Sequence, residues 1–210
     1  MHNKLKLSLA QVEITHELGK RFRREDTLHD LEAEMSKLRC QSAISPQNIL
    51  ERVVEIALKL CRAQSAGLSA LEREADGDFF RWKAVAGQLS YAAGSAMPRD
   101  FSPCGMVLDI NIPMLFAYPE FYFVYPGPVT PSIREVLVVP FHNSHGVAVG
   151  TVWIVAHHVH RRFDAHDVQM LTELTRFVSS AYSVLTLLGC VQDLKAETQH
   201  ERDEGVLQLL

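Results

Sequence analysis

The sequence predicts an α+β domain: an antiparallel sheet with N- and C-terminal helices on one face and loops over the other. Three patterns lead to this prediction. An amphipathic helix follows Ser45, two apolar runs near residues 138 and 152 need cover on both faces, and a heptad pattern follows Phe163. With 47% hydrophobic and 22% charged residues, the 210-residue chain has the composition of a globular protein.

Residues 1–44 contain no proline and are expected to form a helical or extended segment ahead of the domain. Within them, a 3-4-3 spacing predicts a helix on Leu28, Leu31, Met35 and Leu38. This helix either begins a coiled coil or packs on its own domain, and the sequence leaves both alternatives open. Residues 5–22 fit a strand as well as a helix.

The first helix of the domain begins at Ser45-Pro46, which supplies an N-cap hydroxyl and a proline at the first helical position. Its apolar stripe is formed by Ile49, Leu50, Val53, Val54, Ala57, Leu60 and Cys61. A β-hairpin is predicted next, with strands at Ala66–Glu72 and Asp78–Ala86. Alternation in its second strand places Phe80, Trp82 and Ala84 on one face.

Two later runs, Val136–Phe141 and Val147–Ala156, are apolar at odd and even positions alike. Strands of this kind are covered on both faces, so we expect them in the centre of the sheet. The turn residues 142–146 between them predict an antiparallel hairpin.

The last helix has a capping box at its start, with Asp164 as N-cap and Asp167 at N3, and Phe163 can pack on Val168. A heptad spacing then continues through Leu171, Leu174, Val178, Ala181, Leu185 and Leu188. A helix over 165–204 would be about 60 Å long. It should extend beyond its domain, with residues 189–210 as a helical extension, and pair with a second copy through the Leu171–Leu188 surface.

Residues 87–134 are the remaining material that can cover the other sheet face, and they are expected to be loops. Loops over a sheet leave a concavity more readily than a packed helix layer does, and concavities of this kind bind small molecules. The sequence therefore predicts a ligand pocket on this side.

About two thirds of the chain, from Ile49 to Leu188, resembles a GAF domain, and most closely the GAF modules of bacterial sensor histidine kinases. The resemblance is carried by six segments in this order: Ala66-Gly67-Leu68-Ser69, Phe80-Arg81-Trp82, residues 98–105 with Leu108-Asp109, Val138-Val139-Pro140-Phe141, Val149-Gly150-Thr151-Val152-Trp153 and Phe163-Asp164-Ala165. It implies a GAF domain at 45–188 with its ligand pocket under the loops. It also implies a parallel homodimer formed through the terminal helices.

The resemblance implies a non-enzymatic sensory or regulatory module for signal transduction, acting with a histidine kinase or another signalling partner. The candidate ligand-binding residues lie on the loop side and its strand face: Trp82, Asp100, Phe101, Cys104, Phe116, Tyr118 and Phe121. The ligand itself and any cofactor cannot be identified from the sequence. Kinase activity is not expected, because the chain has no Gly-rich nucleotide motif and its His16-Glu17-Leu18 is too short to identify a phospho-acceptor.

Cys104 supports an alternative, a thiol-based redox sensor or reductase, if its thiolate is stabilised. Bilin attachment is disfavoured, because GAF domains that bind bilins usually carry a His after the Cys and here Gly105 follows. A reductase would need a second thiol at the pocket, whereas Cys40 and Cys61 lie on predicted helices and Cys190 on the distal helix. A purely structural interaction module is a third alternative.

A metal site is not expected, although histidines are numerous around residues 142–166. Consecutive residues of a strand point to opposite faces, so His157 and His158 cannot share an ion without a turn. Arg161 and Arg162 would also repel a cation. We expect residues 157–160 to form a solvated loop.

The formal net charge of −4 removes the electrostatic basis for binding nucleic acid. No apolar run is long enough to span a bilayer, so no membrane partner is expected. The N-terminus lacks the pattern of a signal peptide, and the four widely spaced cysteines predict reduced thiols. Together these features predict a cytoplasmic protein.

Overall fold

The computed structural model describes residues 7–23, 28–40, 46–75, 77–125, 127 and 129–207 of the chain. The helices are α1 (Leu9–Val12), α2 (Leu28–Cys40), α3 (Pro46–Leu60), α4 (Pro103–Ile110) and α5 (Ala165–Leu207). The strands are β1 (Ser65–Glu74), β2 (Gly77–Gly87), β3 (Ala96–Pro98), β4 (Met114–Ala117), β5 (Glu135–His142) and β6 (Ala148–Ala156). The predicted N-cap Ser45 and the side chains of Leu28, Cys40, Leu185, Leu188 and Cys190 lie outside the described residues.

The described strands form a six-stranded antiparallel sheet in the order β3-β2-β1-β6-β5-β4. Strands β5 and β6 each have a neighbour on both sides, and their residues are buried almost throughout. The prediction that these two apolar runs are covered on both faces is therefore confirmed, and so is the α+β fold class.

Helices α2, α3 and α5 cover one face of the sheet, and this face is called the helix face. Its core contains the apolar stripe of α3 together with Leu137, Val139, Val152 and Ile154 from the central strands. Leu31, Met35 and Leu38 of α2 are buried in the same core. Of the two alternatives for this helix, packing on its own domain is therefore the one that the structure adopts.

A β-bulge in the first hairpin corrects the predicted alternation of β2. Leu68 pairs with Ala84 but Ser69 pairs with Trp82, so Lys83 is an extra residue on β2. The extra residue turns the side chains beyond it to the other face. Phe80 and Trp82 share the face towards the loops, so the prediction that these two residues lie on one face is correct. Ala84 was predicted on the same face but lies in the core of the helix face.

The segment expected to be loops, residues 87–134, also contains a helix and two edge strands. Ser102 caps α4 by accepting a hydrogen bond from Gly105 N at 3.0 Å, and Pro103 occupies the first turn. This is the same Ser-Pro signal that predicts the start of α3, so α4 was detectable from the sequence. Strands β3 and β4 are three and four residues long, too short for alternation to identify them.

Residues 7–23 follow edge strand β4 rather than forming one regular element. The Ile14 N–H donates to Leu115 O at 2.9 Å, and the Leu115 N–H donates to Thr15 Oγ1 at 3.1 Å. Short helix α1 and a 3₁₀ turn at Thr15–Glu17 flank these bonds. The N-terminal segment thus packs against the sheet edge and contributes the fully buried Val12 to the core on the loop side.

Helix α5 begins with the predicted capping box. The Asp164 N–H donates to Asp167 Oδ2 at 2.9 Å, and the Asp167 N–H donates to Asp164 Oδ1 at 3.2 Å. The first half of the predicted dimer surface, however, is not available to a partner. Leu171, Leu174 and Val178 are fully buried in the core of the helix face, because a heptad stripe packs on a sheet as well as on another helix.

Beyond Tyr182, which still packs against the core of the helix face, α5 exposes apolar side chains, with 51% of Val184 and 66% of Leu187 accessible to solvent. The helix has 43 residues, which corresponds to a length of roughly 65 Å. Among the described residues, no helix is apolar over a stretch long enough to cross a membrane.

Candidate ligand site between the sheet and the loops

A small, partly open space, called the inner cavity, lies between the sheet and the segments that cover its loop face. It is lined by Trp82, Leu89, Met97, Pro103, Cys104, Tyr125, Ile133, Val136, Val138, Trp153 and Val155. Its volume is about 30 Å³, which is room for one or two water molecules. In the conformation described, the loop side of the sheet is therefore nearly filled by its own side chains.

A larger space of about 250 Å³, called the outer groove, adjoins the inner cavity. The two share Trp82, Leu89 and Tyr125, which form the partition between them. The groove is further lined by Tyr91, Ala92, Ser95 and Ala96. Among the described residues, neither space is lined by an acidic or basic side chain.

Two tryptophans meet at the partition in different hydrogen-bonding states. Their ring centroids are 5.1 Å apart with the planes inclined at 57°. Trp153 donates from Nε1 to Ser69 Oγ at 2.8 Å. The Nε1–H of Trp82 is buried and has no acceptor among the residues that the structure describes.

The chemistry of Cys104 is set by its burial. The thiol is 6% exposed and accepts a hydrogen bond from Thr151 Oγ1 at 3.2 Å. Burial raises the pKa of the Cys104 thiol to about 11, although hydrogen bonds from Thr151 and Ser69 act in the opposite direction. At neutral pH the reactive thiolate is therefore a very small fraction. Burial also raises the pKa of Tyr125, so this neighbour is a neutral phenol.

A second thiol close to Cys104 is not found among the described side chains. Cys61 is fully buried, but it belongs to the core on the opposite face of the sheet. The arrangement thus provides no resolving thiol within the described part of the site.

The structure distributes the seven predicted ligand residues over several places. Trp82 and Cys104 line the inner cavity. Phe116 is fully buried in the core beside the cavity and contacts the edge of Phe123, with ring centroids 5.3 Å apart. Tyr118 and Phe121 pack on each other at 6.2 Å near the end of β4. The ligand role of each residue stays a prediction.

Asp100 and Phe101 lie in a separate groove on the outer side of α4, with a volume of about 480 Å³. Phe101 has a left-handed backbone with φ 55°, and 73% of its side chain is exposed. Arg99 forms ion pairs with Asp100 and Asp109 along this groove. These two predicted residues are therefore brought together with each other but not with Trp82 and Cys104.

Several residues of the inner cavity were not among the predicted ligand residues. Val136 and Val138 project into it from β5, and alternation along that strand together with Trp153 could have identified them. Leu89 and Tyr125 lie in irregular segments, and the local sequence carries no signal for their position.

The histidines around residues 142–166 do not form a cation site within the described part of the chain. The expected solvated loop is wrong for His157, which is buried. Its Nδ1 lies 3.0 Å from Ser132 O and its Nε2 lies 2.8 Å from Ser65 Oγ. Because a carbonyl only accepts, Nδ1 carries the proton and Nε2 accepts from the Ser65 hydroxyl.

The same serine connects His157 to the ligand site. Ser65 Oγ also accepts a hydrogen bond from the backbone N–H of Leu89 at 3.1 Å. Leu89 belongs to the partition between the inner cavity and the outer groove, so the histidine holds one wall of the site through the serine.

The fold has many relatives among solved structures, and three of them, each less than 20% identical to this chain, illustrate the similarity. The GAF domain of an Acinetobacter phosphoenolpyruvate-protein phosphotransferase superposes with a TM-score of 0.61 at 13% identity, covering 75% of this chain and 93% of that one. Free methionine-R-sulfoxide reductase from Neisseria meningitidis, solved with its substrate, superposes with a TM-score of 0.58 at 17% identity. The match covers 79% of this chain and 97% of the reductase. The GAF domain of a putative sensor histidine kinase from Pseudomonas syringae pv. tomato superposes with a TM-score of 0.51 at 18% identity. This match covers 78% of this chain and 91% of that domain.

At these identities the similarity establishes the fold and not the activity. No curated relative matches the chain at a significant level. The sequence model of the GAF domain matches residues 43–182, which is two thirds of the chain and includes the whole sheet, α3, α4 and the packed part of α5. This chain therefore belongs to the GAF domain family, whose members are generally sensory or regulatory modules.

Proposed function

We propose that this GAF domain is a non-enzymatic sensory module that binds a small molecule at the inner cavity and outer groove. The bound molecule changes how α5 meets a second copy of the chain, and a signalling protein such as a histidine kinase responds to that change. The ligand site and the dimer are parts of this proposal, as is the downstream partner.

The observation that carries the proposal is the path of β5. Val136 and Val138 on this strand line the inner cavity. At the end of the strand, Phe141 packs edge-on against Tyr182 of α5 with ring centroids 5.2 Å apart. One strand therefore joins the wall of the cavity to the last packed turns of α5.

A hydrogen bond reinforces this junction. The backbone N–H of His142 donates to Ser179 Oγ of α5 at 3.0 Å. A ligand that displaces the cavity wall shifts β5, and the junction transmits the shift to α5 at the point where the helix leaves the domain. A ligand that changes dimer affinity tenfold needs a difference in binding of about 1.4 kcal/mol between the two states.

The exposed part of α5 supports the proposal that this helix contacts a second copy of the chain. Val184 and Leu187 are large apolar side chains that are more than half exposed on the protruding helix. Exposed apolar residues on a protruding helix favour association. The dimer surface we propose therefore differs from the one that the sequence suggested, because Val184 and Leu187 lie outside the predicted heptad and on another face of α5.

The thiol alternative loses support from the geometry. Cys104 is buried with a pKa raised to about 11, and the other described thiol lies on the opposite face of the sheet. Both features oppose the nucleophilic or redox chemistry that a reductase or thiol sensor requires.

Sedimentation velocity of the full chain tests the dimer. The native protein is expected to sediment as a dimer, and the double variant V184E/L187E as a monomer. The control T186E places a charge at an exposed position on a different face of α5 from Val184 and Leu187, and this variant should remain dimeric. A native protein that stays monomeric at all concentrations would overturn the proposed relay.

Native mass spectrometry of the protein purified from its own host tests the ligand. A retained small molecule whose removal changes the dimer affinity is the expected result. If no molecule is retained and the dimer is unaffected by extraction, the chain acts as a structural interaction module instead.

A further inference from the structure

His157 joins two walls of the candidate ligand site that come from separate parts of the chain. On one side, its Nδ1–H donates to Ser132 O at 3.0 Å, and Ser132 directly precedes Ile133 in the wall of the inner cavity. On the other side, Nε2 accepts from the Ser65 hydroxyl at 2.8 Å, and Ser65 Oγ accepts the Leu89 N–H at 3.1 Å. The imidazole is thus placed between the two walls and bonded towards both.

The two links respond differently to a proton. The bond from Nδ1–H to Ser132 O exists with the neutral and with the protonated ring, because a carbonyl only accepts. At Nε2 the neutral ring accepts a hydrogen bond, whereas the protonated ring only donates. Ser65 Oγ would then face two donors, Nε2–H and the Leu89 N–H, and its own buried proton would lose its acceptor. A buried donor that loses its partner is costly, so protonation weakens the link to Leu89.

The surroundings of the ring favour its neutral form. Burial lowers the pKa of His157, and the neighbouring His158 acts in the same direction. The backbone groups of Ser132 and Pro131 act in the opposite direction and leave the pKa below its ordinary value. The ring therefore binds a proton more readily once it reaches solvent, which couples protonation to the opening of this place.

Charged groups on the elements near the ring have other partners. On β5, the Glu135 carboxylate is bound by Arg21, and Arg134 lies over a tyrosine ring. Arg161, which follows the histidine in the chain, is bound to Asp167 at 2.7 Å. These charges are therefore compensated by their own partners and not by the imidazole.

We propose that His157 is a proton-operated latch on the wall at Leu89: the neutral imidazole holds this wall through Ser65, and protonation in mild acid releases it. Leu89 belongs to the partition between the inner cavity and the outer groove, so its release changes the shape of both spaces. As regulation of the ligand site, the latch rests on the proposed function. It is measured without added ligand, so its failure is distinguishable from a failure of ligand binding or of dimerisation.

Amide hydrogen exchange resolved by NMR measures the latch in the native chain. Exchange rates, corrected for their intrinsic pH dependence, report how often each amide opens. An open ring with the ordinary pKa of 6.5 limits the rise of opening between pH 7.5 and pH 5.5 to about tenfold, and at Leu89 we expect a rise of at least about threefold. The matched amide is Gly105, whose N–H also donates to a serine hydroxyl, Ser102 Oγ at 3.0 Å. Its opening should change by less than about twofold, because the Ser102 hydroxyl donates to Arg99 O and not to an imidazole.

Two variants separate the latch from a general effect of acid on the fold. S65A keeps the histidine but removes the hydroxyl that links it to Leu89, so the Leu89 amide should exchange rapidly at both pH values. H157Q places a side chain that does not titrate in the same position, so the pH dependence at Leu89 should fall to that of Gly105. Urea unfolding at pH 7.5 verifies that both variants are folded.

The native-state spectrum gives a second readout. The Leu89 N–H signal should move upfield on acidification, with the same midpoint as the ring signals of His157, because its hydrogen bond weakens. In S65A the ring signals should still titrate while the Leu89 signal no longer follows them.

Three results would overturn the latch. The first is a Leu89 opening that follows Gly105 at both pH values in the native chain. The second is a rise at Leu89 that persists in S65A, and the third is a rise that persists in H157Q. Each of these results would leave the proposed ligand site and dimer untouched, since neither is measured in this experiment.

Discussion

Arg21 and Glu135 form a buried bidentate ion pair, with Nη1 and Nη2 of the arginine 2.8 and 2.9 Å from the two carboxylate oxygens. Arg21 Nη1 also donates to Phe163 O at 2.6 Å, and the Phe163 N–H donates to the Glu135 carboxylate at 3.0 Å. The pair therefore joins the N-terminal segment to the first residue of β5 and to the residue that precedes the N-cap of α5.

Replacing Arg21 with methionine should destabilise the domain by about 3 kcal/mol. The substitution leaves the Glu135 carboxylate buried without its main counter-charge. Removing one partner of a buried ion pair costs far more stability than removing one partner of an exposed pair. Urea unfolding followed by circular dichroism measures the change.

The matched control is R176M, because Arg176 pairs with Glu173 at 2.7 Å on the exposed surface of α5. This pair should contribute less than about 1 kcal/mol. If R21M costs no more than R176M, the N-terminal segment is not held to the domain by this pair.

Adding a methyl group at Gly67 should destabilise the domain by about 2 kcal/mol or more. A Cβ at this position of β1 would overlap the indole ring of Trp153, which is packed in the wall of the inner cavity. Overpacking of this kind forces a buried side chain from its place. Urea unfolding measures the cost, and near-ultraviolet circular dichroism reports the displaced indole.

Gly19 provides the control, because a Cβ there has open space and the backbone needs no glycine. G19A should therefore leave the stability nearly unchanged. Removing the obstruction should reduce the cost, so G67A introduced into a W153L background is expected to cost less than in the native protein. An equal cost in both backgrounds would mean that the methyl group does not meet the indole.

Local signals account for the parts of the fold that the sequence predicted correctly. The stripe of α3, the doubly covered strands β5 and β6 and the capping box of α5 are each specified within a few residues. The bulge at Lys83 depends on how β2 pairs with β1, so alternation within β2 alone did not reveal it. The heptad of α5 likewise could not distinguish the chain's own sheet from a second helix.

The candidate site was less predictable, because tertiary structure assembles it from separated segments. Trp82 was selected as an aromatic able to stack on a planar ligand and Cys104 as a thiol in the predicted pocket loop, and both border the inner cavity. Leu89 and Tyr125 reach the same place through irregular backbone, which no periodicity describes. Asp100 and Phe101 are close to Cys104 in sequence, yet they lie in the groove on the outer side of α4.

Cys104 should be resistant to alkylation in the folded protein. Its pKa is raised to about 11 by burial, so iodoacetamide at pH 7.5 should modify it orders of magnitude more slowly than in the urea-unfolded chain. Peptide mass mapping distinguishes Cys104 from the other three cysteines.

The raised pKa of Cys104 also predicts a dependence of stability on pH. A thiol with a higher pKa in the folded state stabilises the fold while it is protonated. This contribution is complete below about pH 9 and is lost as the pH rises towards 11. Over that interval the free energy of unfolding should fall more steeply for the native protein than for C104A, by on the order of 1 kcal/mol per pH unit. Two results would contradict the raised pKa of Cys104. One is rapid alkylation of the folded protein at pH 7.5, and the other is an equal pH dependence of the free energy of unfolding in the native protein and in C104A.

His157 should make the domain less stable in mild acid. Burial lowers the pKa of this imidazole below its ordinary value, so the folded state favours the neutral ring. Its stabilising contribution is complete above about pH 6.5 and is lost as the pH falls below that value, because the unfolded chain then binds the proton more readily. Protonation also removes the acceptor for the Ser65 hydroxyl, whose oxygen holds the Leu89 N–H.

Urea unfolding at pH 7.5 and pH 5.5 measures this effect in the native protein and in H157Q. At pH 7.5 the variant should lose about 1–2 kcal/mol, since bonds to Ser132 O and Ser65 Oγ are weakened or broken. Between the two pH values it should lose less stability than the native protein. H160Q, which alters an exposed histidine that does not shift the pKa of His157, should keep the native pH dependence. If H157Q keeps it as well, the acid sensitivity of the domain arises from another group.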